Sequence, residues 1–194
     1  MTLKADAELI ELIRAGDRSA FKRFVETHQD KVYNLSLGFL NNREEAEDIA
    51  QEVFIEVFHS INTFKGQSAI ETWLYRITVN KSLERIKYLQ RGKRFAWLTS
   101  LFGVEEQVGK VYRTDLHPGI RLENEELREK LAWALRSLPD AQQTAFTLSK
   151  FEQLTNKEIA EVMEQSLSAV ESLLFRAKKG LQKVLKSYYQ EYNG

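Results

Sequence analysis

Apolar residues recur at intervals of three and four along most of the chain, and this spacing is what most restricts how the chain can fold. Residues spaced in this way lie on one face of an α-helix and form its buried stripe. The chain has only two prolines among its 194 residues, and no stretch alternates apolar and polar residues as a half-buried β-strand does. We therefore predict an all-α protein of about eight helices.

The composition limits what can stabilise these helices. The chain contains no cysteine, so disulfides and thiolate metal sites are impossible and the fold depends on packing. Every apolar run is interrupted by charge well before the roughly 18 residues that a membrane span requires, and no secretory leader opens the chain. We expect a cytoplasmic protein that does not insert into a membrane.

Charge is balanced overall, at 28 basic and 28 acidic residues, but it is segregated along the chain. Acids dominate from Asn41 to Glu56, where the single cation is Arg43. Cations dominate from Trp73 to Arg94, where the single acid is Glu84. An acidic helix followed by a basic helix suits a protein that presents one surface to a basic partner and another to a nucleic acid.

Local signals divide the N-terminal part into helices. A first helix runs from near Leu3 to Ala15, and Asp17 or Ser19 caps a second. Asn41 and Asn42 separate that helix from the acidic one. The acidic helix ends near Asn62, a loop follows from Phe64 to Ser68, and Gly92 ends the regular pattern of the basic helix.

Residues 95–121 lack sustained periodicity and contain three of the glycines together with Pro118, so we predict a linker there between two helical domains, residues 1–94 and 122–194. This linker is unusually apolar. Its large side chains would be costly to leave in water, so we expect them to dock on the protein itself or on a partner. They are Phe95, Trp97, Leu98, Leu101 and Phe102.

A helix-turn-helix is predicted between Thr155 and Lys186. Thr155 and Glu158 form a capping box, so a helix of about two turns begins at Asn156. Ser166 or Ser168 caps a second helix that has a buried apolar stripe. Its opposite face is rich in cations, which suits phosphate and base contacts in DNA. That face carries Ser168, Glu171, Ser172, Phe175, Arg176, Lys178, Lys179, Lys183 and Lys186.

Taken together, these segments give the chain a family resemblance. It resembles the extracytoplasmic-function (ECF) sigma factors of the sigma-70 family, which direct bacterial RNA polymerase to promoters. The resemblance covers almost the whole chain and rests on the order and spacing of several short matches. These are Ala46 to Phe54, Thr72 to Ile77 with Asn80, the Leu138-Pro139 turn, and Ile159-Ala160 with Val170, Arg176 and Ala177.

The resemblance implies a role for each part. Asp48, Gln51 and Glu52 match residues with which the family grips the coiled coil of the polymerase clamp. The loop and basic helix match the reader of the opened minus-ten promoter element, which needs a cationic track and groups that hold an unstacked base. The residues that we assign to this element are Phe64, Lys65, Gln67, Ser68, Arg76 and Asn80; Trp73 is as well explained as a core residue.

The second helix of the helix-turn-helix matches the family's reader of the minus-thirty-five element, which lies in the major groove. Family members often carry basic residues where Glu171 and Leu173 stand here, so phosphate contacts fall to Arg176, Lys178 and Lys179. Glu171 is suited to accept a hydrogen bond from a cytosine amine. Ser168, Ser172 and Phe175 complete the predicted surface.

The resemblance further implies core RNA polymerase and promoter DNA as partners, an anti-sigma factor that masks these surfaces, no cofactor and no catalytic residue. Two other interpretations fit parts of the sequence. Glu56 and His59 form a Glu-x-x-His pair of the kind found in di-iron bundles, but the chain lacks the second pair that such a site requires. The other alternative is a stand-alone helix-turn-helix regulator of duplex DNA.

Overall fold

The computed structural model describes residues 2–101 and 125–192, with side chains over 7–91 and 129–186, and this part of the chain is helical throughout apart from its connections. No helix within these residues has the length and apolar character needed to cross a lipid bilayer. The predicted all-α fold is confirmed. The helices are α1 (Thr2–Arg14), α2 (Arg18–Leu40), α3 (Arg43–Ser60), α4 (Ile70–Leu101), α5 (Glu125–Arg136), α6 (Asp140–Lys150), α7 (Asn156–Met163) and α8 (Leu167–Tyr192), with a short 3-10 helix at Ile61–Thr63.

Short polar side chains set the helix boundaries in the N-terminal domain, as predicted. The Asp17 carboxylate accepts hydrogen bonds from the amides of Ser19 (2.8 Å) and Ala20 (3.1 Å) at the start of α2. Asn41 ends α2 in the left-handed conformation, and the Asn42 side chain accepts from the Glu45 amide at 2.8 Å to begin α3. Asparagine tolerates the left-handed region and is a favoured N-cap, so two adjacent asparagines suffice to turn the chain.

The prediction that Gly92 ends the basic helix is wrong, because α4 continues to Leu101. One glycine inside a helix costs about 1 kcal/mol, and the flanking residues Arg91, Lys93 and Arg94 are good helix formers. The first part of the predicted linker is therefore helical. Residues 102–124 and the side chains of the apolar linker residues lie outside the described part of the chain.

The larger apolar core of the described structure extends across both domains. The N-terminal helices contribute the large buried side chains Phe24, Leu35, Phe39, Ile49 and Val53, and the C-terminal helices add Leu148, Ile159, Val162 and Val170 to the same cluster. This merging is possible because α4 packs against α7 and α2 packs against α6. The two domains therefore share a packed interface.

A second, smaller core lies inside the C-terminal domain, where α8 meets α5 and the turn that precedes α6. Its buried members are Ala134, Leu135, Leu138, Ala177 and Leu181. A Cβ atom at Gly180 would lie 2.9 Å from the Leu138 Cδ2. Glycine at this point in α8 therefore allows the helix to approach its neighbours closely.

The helix-turn-helix begins where predicted, although α8 continues beyond Lys186 to Tyr192. The Thr155 Oγ1 accepts from the Glu158 amide at 3.3 Å, and the Glu158 carboxylate accepts from the Thr155 amide at 2.8 Å, which completes the capping box. At the start of α8 the Ser166 Oγ accepts from the Ala169 amide at 3.2 Å. The Thr155 bonds lower the pKa of Glu158, so the box is at full strength above the ordinary pKa of about 4.3 and weakens as pH falls through the lower folded pKa.

We predict that Thr155→Ala destabilises the helix-turn-helix by about 1 kcal/mol, because α7 loses its N-cap acceptor. Amide hydrogen exchange should show faster exchange in α7 than in the wild-type chain. Lys157→Ala is the matched control, since Lys157 is exposed on the same helix and outside the capping box. Equal acceleration in the two variants would contradict the role of the cap.

Candidate polymerase and nucleic-acid surfaces

The exposed face of α3 is acidic, as the sequence predicted, and Arg85 of α4 lies beside it. Asp48, Gln51 and Glu52 are all exposed on this face. Arg85 of α4 donates to the nearly buried Glu45 carboxylate and lies 3.7 Å from the Asp48 Oδ2. The hydrogen bond to Glu45 raises the pKa of Arg85. Arg85 therefore stays charged and contacts Glu45 and Asp48. Gln51 and Glu52 are exposed to solvent.

The basic helix is more extensively paired than its sequence suggests. Lys81 lies 3.6 Å from Glu56 of α3, so two of its cations neutralise the neighbouring acidic helix. Two others reach the C-terminal domain: Arg76 lies 3.0 Å from Glu164, and Lys87 lies 3.6 Å from Asp140. In this arrangement carboxylates pair with four cations of the predicted track, Arg76, Lys81, Arg85 and Lys87.

The loop that precedes α4 presents polar groups around a buried aromatic anchor. Lys65, Gly66 and Gln67 are exposed and Ser68 is half-buried. Gly66 has a φ of 68°, a conformation that strongly favours glycine. The Phe64 ring is 7% exposed and packs against the Trp73 ring, with centroids 5.4 Å apart.

Arg14 of α1 fixes the start of this loop by donating to the Phe64 carbonyl, and it donates more weakly to the Ile61 carbonyl at 3.4 Å. The Phe64 side chain therefore positions the loop in this structure and does not present its ring to solvent. Asn80 lies about one turn beyond Arg76 on α4 and is exposed.

Two neighbouring residues of α4 contact the C-terminal domain. The Arg76 Nε and Nη2 donate to the Glu161 carbonyl at 3.1 and 2.6 Å, in addition to its pair with Glu164. The Tyr75 hydroxyl donates to the Glu152 carboxylate at 3.3 Å. Burial and the adjacent carboxylate raise the pKa of Tyr75 well above its usual range, so the phenol stays protonated and remains a donor.

The residues of α8 that we predict to contact DNA lie on its exposed face. Phe175 is 60% exposed, and the Lys179 ammonium lies 4.6 Å from the centre of its ring. The Arg176 Nε donates to the Ser172 carbonyl at 3.2 Å within the helix. The other predicted members are exposed as well: Ser168, Glu171, Ser172 and Lys178. The face offers cations, hydroxyls, one carboxylate and an aromatic ring.

Sequence reasoning assigned no role to the carboxylates that pair with α4 across the domain interface. Glu164 carried the clearest available signal, because it follows α7 at a position where glycine or asparagine is usual, and it adopts a φ of 53°. The partners of Tyr75 and Lys87 gave no such signal, since their proximity depends on how the domains pack.

Within residues 2–101 and 125–192, no three His, Asp or Glu side chains come together as a metal-binding group. The His59 ring lies against the Phe58 ring, with centroids 5.7 Å apart. The Glu-x-x-His pair noted in the sequence thus has no further ligands nearby in the described structure.

Two family models match the chain at the places where these surfaces lie. The model of Sigma-70 region 2 matches residues 24–92, which contain the acidic face, the loop and most of α4. The model of Sigma-70 region 4 matches residues 128–181, which contain α7 and the first half of α8.

Curated relatives match over nearly the full chain. RNA polymerase sigma-H factor of Pseudomonas aeruginosa is 31% identical over 98% of this chain and 99% of its own length. The ECF RNA polymerase sigma-E factors of Haemophilus influenzae and Escherichia coli K12 are 32% and 30% identical, over 90% and 91% of this chain and 92% of their own lengths.

Solved structures show the same fold. CnrH, in a complex with the cytosolic domain of CnrY, aligns with a TM-score of 0.66 at 20% identity, over 94% of this chain and 98% of that chain. The sigma factor RpoE of Bartonella quintana, in a complex with the anti-sigma factor NepR, aligns with a TM-score of 0.58 at 20% identity, over 86% of this chain and 96% of that chain.

These matches favour a sigma factor over a stand-alone regulator of duplex DNA. The chain therefore belongs to the extracytoplasmic-function sigma factors of the sigma-70 family, which are non-enzymatic factors that direct RNA polymerase in transcription initiation.

Proposed function

We propose a division of labour among three surfaces of this sigma factor. The acidic face of α3 binds core RNA polymerase, the exposed face of α8 reads the minus-thirty-five element as duplex, and the loop 64–70 with α4 holds the opened minus-ten strand. The observation that carries the proposal is the α8 face, where the 60% exposed Phe175 ring lies beside cations on the second helix of a helix-turn-helix.

The polymerase surface consists of Asp48, Gln51 and Glu52. Acids on a rigid helix suit a basic partner helix, because charge complementarity sets the register and speed of docking. In the ion pair with Arg85 the Asp48 side chain is 62% exposed and the two groups are 3.7 Å apart, and solvent-exposed pairs contribute at most about 1 kcal/mol. Asp48 is therefore available to exchange Arg85 for a cation of the polymerase.

The minus-ten surface consists of the exposed loop residues together with α4. Lys65, Gln67, Ser68 and Asn80 supply the cation and the polar groups that hold a phosphate or an unstacked base. Phe64 contributes indirectly, because its buried ring anchors the loop in the apolar core. Arg76 joins this surface once its contacts with the C-terminal domain are released.

The minus-thirty-five surface is the α8 face itself. Arg176, Lys178 and Lys179 neutralise phosphates, while Ser168, Ser172 and Phe175 lie toward the base edges. Glu171 is an exposed carboxylate among these cations. A carboxylate facing a phosphate backbone is unfavourable unless it meets a donor, and the cytosine amine is the donor that the major groove offers to a carboxylate.

We assign these surfaces to an N-terminal domain of residues 1–94, a linker of residues 95–121 and a C-terminal domain of residues 122–194. The helix α4 carries the first part of the linker, so the N-terminal domain leads into it without a break. The protein acts in the cytoplasm, where polymerase and promoters are found.

An anti-sigma factor completes the proposed system. CnrH and the Bartonella RpoE, which have a similar fold, are bound in their structures by the cytosolic domain of CnrY and by the anti-sigma factor NepR. We infer that a protein of this class also masks the present chain. The apolar linker side chains Phe95, Trp97, Leu98, Leu101 and Phe102 are its candidate contacts.

The direct test is transcription in vitro from fragments of the host genome, using bacterial core polymerase with and without the protein. New start sites that share two upstream elements are expected, and they define the promoter. Reactions without the protein provide the background. Absence of new starts, together with no binding to core polymerase, would contradict the proposed polymerase surface.

We predict that Asp48→Lys lowers the affinity for core polymerase about tenfold or more, since it places a cation against a basic partner. Binding of the free protein to duplex promoter DNA should not fall. Binding is measured by fluorescence anisotropy, and thermal unfolding checks that the variant folds. Glu26→Lys makes the same charge change on the exposed surface of α2 and serves as the control; a similar loss in both variants would refute the assignment to α3.

We predict that Glu171→Gln changes promoter preference at one position of the minus-thirty-five element, because glutamine no longer favours a cytosine amine. The lost discrimination should be about 1–3 kcal/mol. Selection from a randomised minus-thirty-five library measures it. Arg176→Ala provides the contrast, with weaker binding to the whole library. Identical selected sequences for Glu171→Gln and the wild type would refute base contact by Glu171.

A further inference from the structure

Arg76 of α4 is held at the C-terminal end of α7 by three of its atoms. The Nε and Nη2 donate to the Glu161 carbonyl at 3.1 and 2.6 Å, and the Nη1 lies 3.0 Å from the Glu164 Oε1. All three nitrogens of the guanidinium are therefore engaged by the helix-turn-helix. The Arg76 side chain is 31% exposed, whereas Glu164 is 73% exposed.

The Glu161 carbonyl is a natural acceptor for a cation. It belongs to the last turn of α7, where carbonyls lack partners further along the helix and carry the negative end of the helix dipole. The neighbouring Ala160 carbonyl is already taken by the amides of Glu164 and Gln165. Arg76 thus caps α7 from the other domain.

Glu164 occupies a position that is locally unfavourable for glutamate. Its φ of 53° and ψ of 42° place it in the left-handed region, where glycine is preferred and a side chain costs conformational energy. In this structure the Glu164 carboxylate reaches Arg76. A residue in a strained conformation thus supplies the anion of an ion pair between the domains.

Further contacts align with this one along the domain interface. Tyr75, the residue before Arg76, donates to Glu152 at 3.3 Å, and Gln143 donates to the Phe39 carbonyl at 3.5 Å. Beneath them the apolar core is continuous between the domains. The Arg76 contact is therefore the polar edge of a packed interface that holds α7, and with it α8, against the N-terminal domain.

We propose that this contact is an autoinhibitory latch, formed by Arg76 with the Glu161 carbonyl and the Glu164 carboxylate. The proposal rests on the proposed role of Arg76 at the minus-ten element. A guanidinium that is bound to α7 is not free for DNA, so the opened strand and the helix-turn-helix compete for the same side chain. The closed chain binds opened promoter DNA weakly, and separation of the domains activates the minus-ten surface.

Glu164→Gly tests the latch in the full-length protein. Glycine removes the carboxylate and suits the left-handed conformation, so the turn itself should remain folded. Glu161→Ala is the matched control, because it removes an equal charge nearby and keeps the carbonyl to which Arg76 donates. Because the chain has no cysteine, spin labels on Arg23→Cys and Gln182→Cys report the distance between the domains without background labelling.

In the free wild-type protein and in Glu161→Ala, pulsed electron paramagnetic resonance should give one narrow distance distribution. In Glu164→Gly it should be longer and broader. The affinity for a mismatch-bubble form of a mapped promoter should rise by up to about fivefold in Glu164→Gly, which is the most that so exposed an ion pair contributes, and much less in Glu161→Ala.

Three results would overturn the latch. The first is an unchanged distance distribution in Glu164→Gly. The second is an equal gain of affinity in both variants, which would indicate simple charge removal. The third is a longer distance between the labels in Glu164→Gly without any gain of affinity. Failure of the proposed function is separable from these, since it would appear as missing transcription starts with core polymerase whatever the distances between the labels.

Discussion

The burial of one apolar stripe from each helix is the constraint on which this structure depends. With no cysteine to cross-link the chain, packing must hold the helices together. The stripes of α2, α3 and α4 are not fully covered within their own domain, because α6 and α7 add Leu148, Ile159 and Val162 to the same core. Each domain thus completes the burial of the other, and the polar contacts along the interface follow from that proximity.

Much of the fold was predictable because its determinants are local. Capping by Asp17, Asn42 and Thr155 depends on residues two or three positions away, so sequence analysis located the starts of α2, α3 and α7. The helix-turn-helix and its exposed basic face followed from the same local rules. Gly92 misled the prediction of α4 because a glycine inside a helix has a modest cost that good neighbouring helix formers offset.

The less predictable features depend on contacts that are distant in sequence. Nothing in the sequence around Phe64 shows that its ring is buried and packs against the half-buried Trp73. The basic character of α4 suggested a free cationic track, yet its charges face carboxylates on α3 and in the C-terminal domain. Periodicity identifies which face of a helix is polar, but the partner of that face is decided by packing.

The helix α8 carries the proposed DNA-binding surface and also forms part of the C-terminal core. Its 26 residues span about 39 Å at 1.5 Å per residue, and the same turns that expose Phe175 and Arg176 bury Ala177 and Leu181. Close packing at Gly180 leaves this helix little room to rotate about its axis. Recognition of DNA is therefore mechanically coupled to the integrity of the C-terminal core. Substitutions at Ala177 or Leu181 should alter promoter affinity without touching DNA, and bound DNA should in turn protect the core against unfolding.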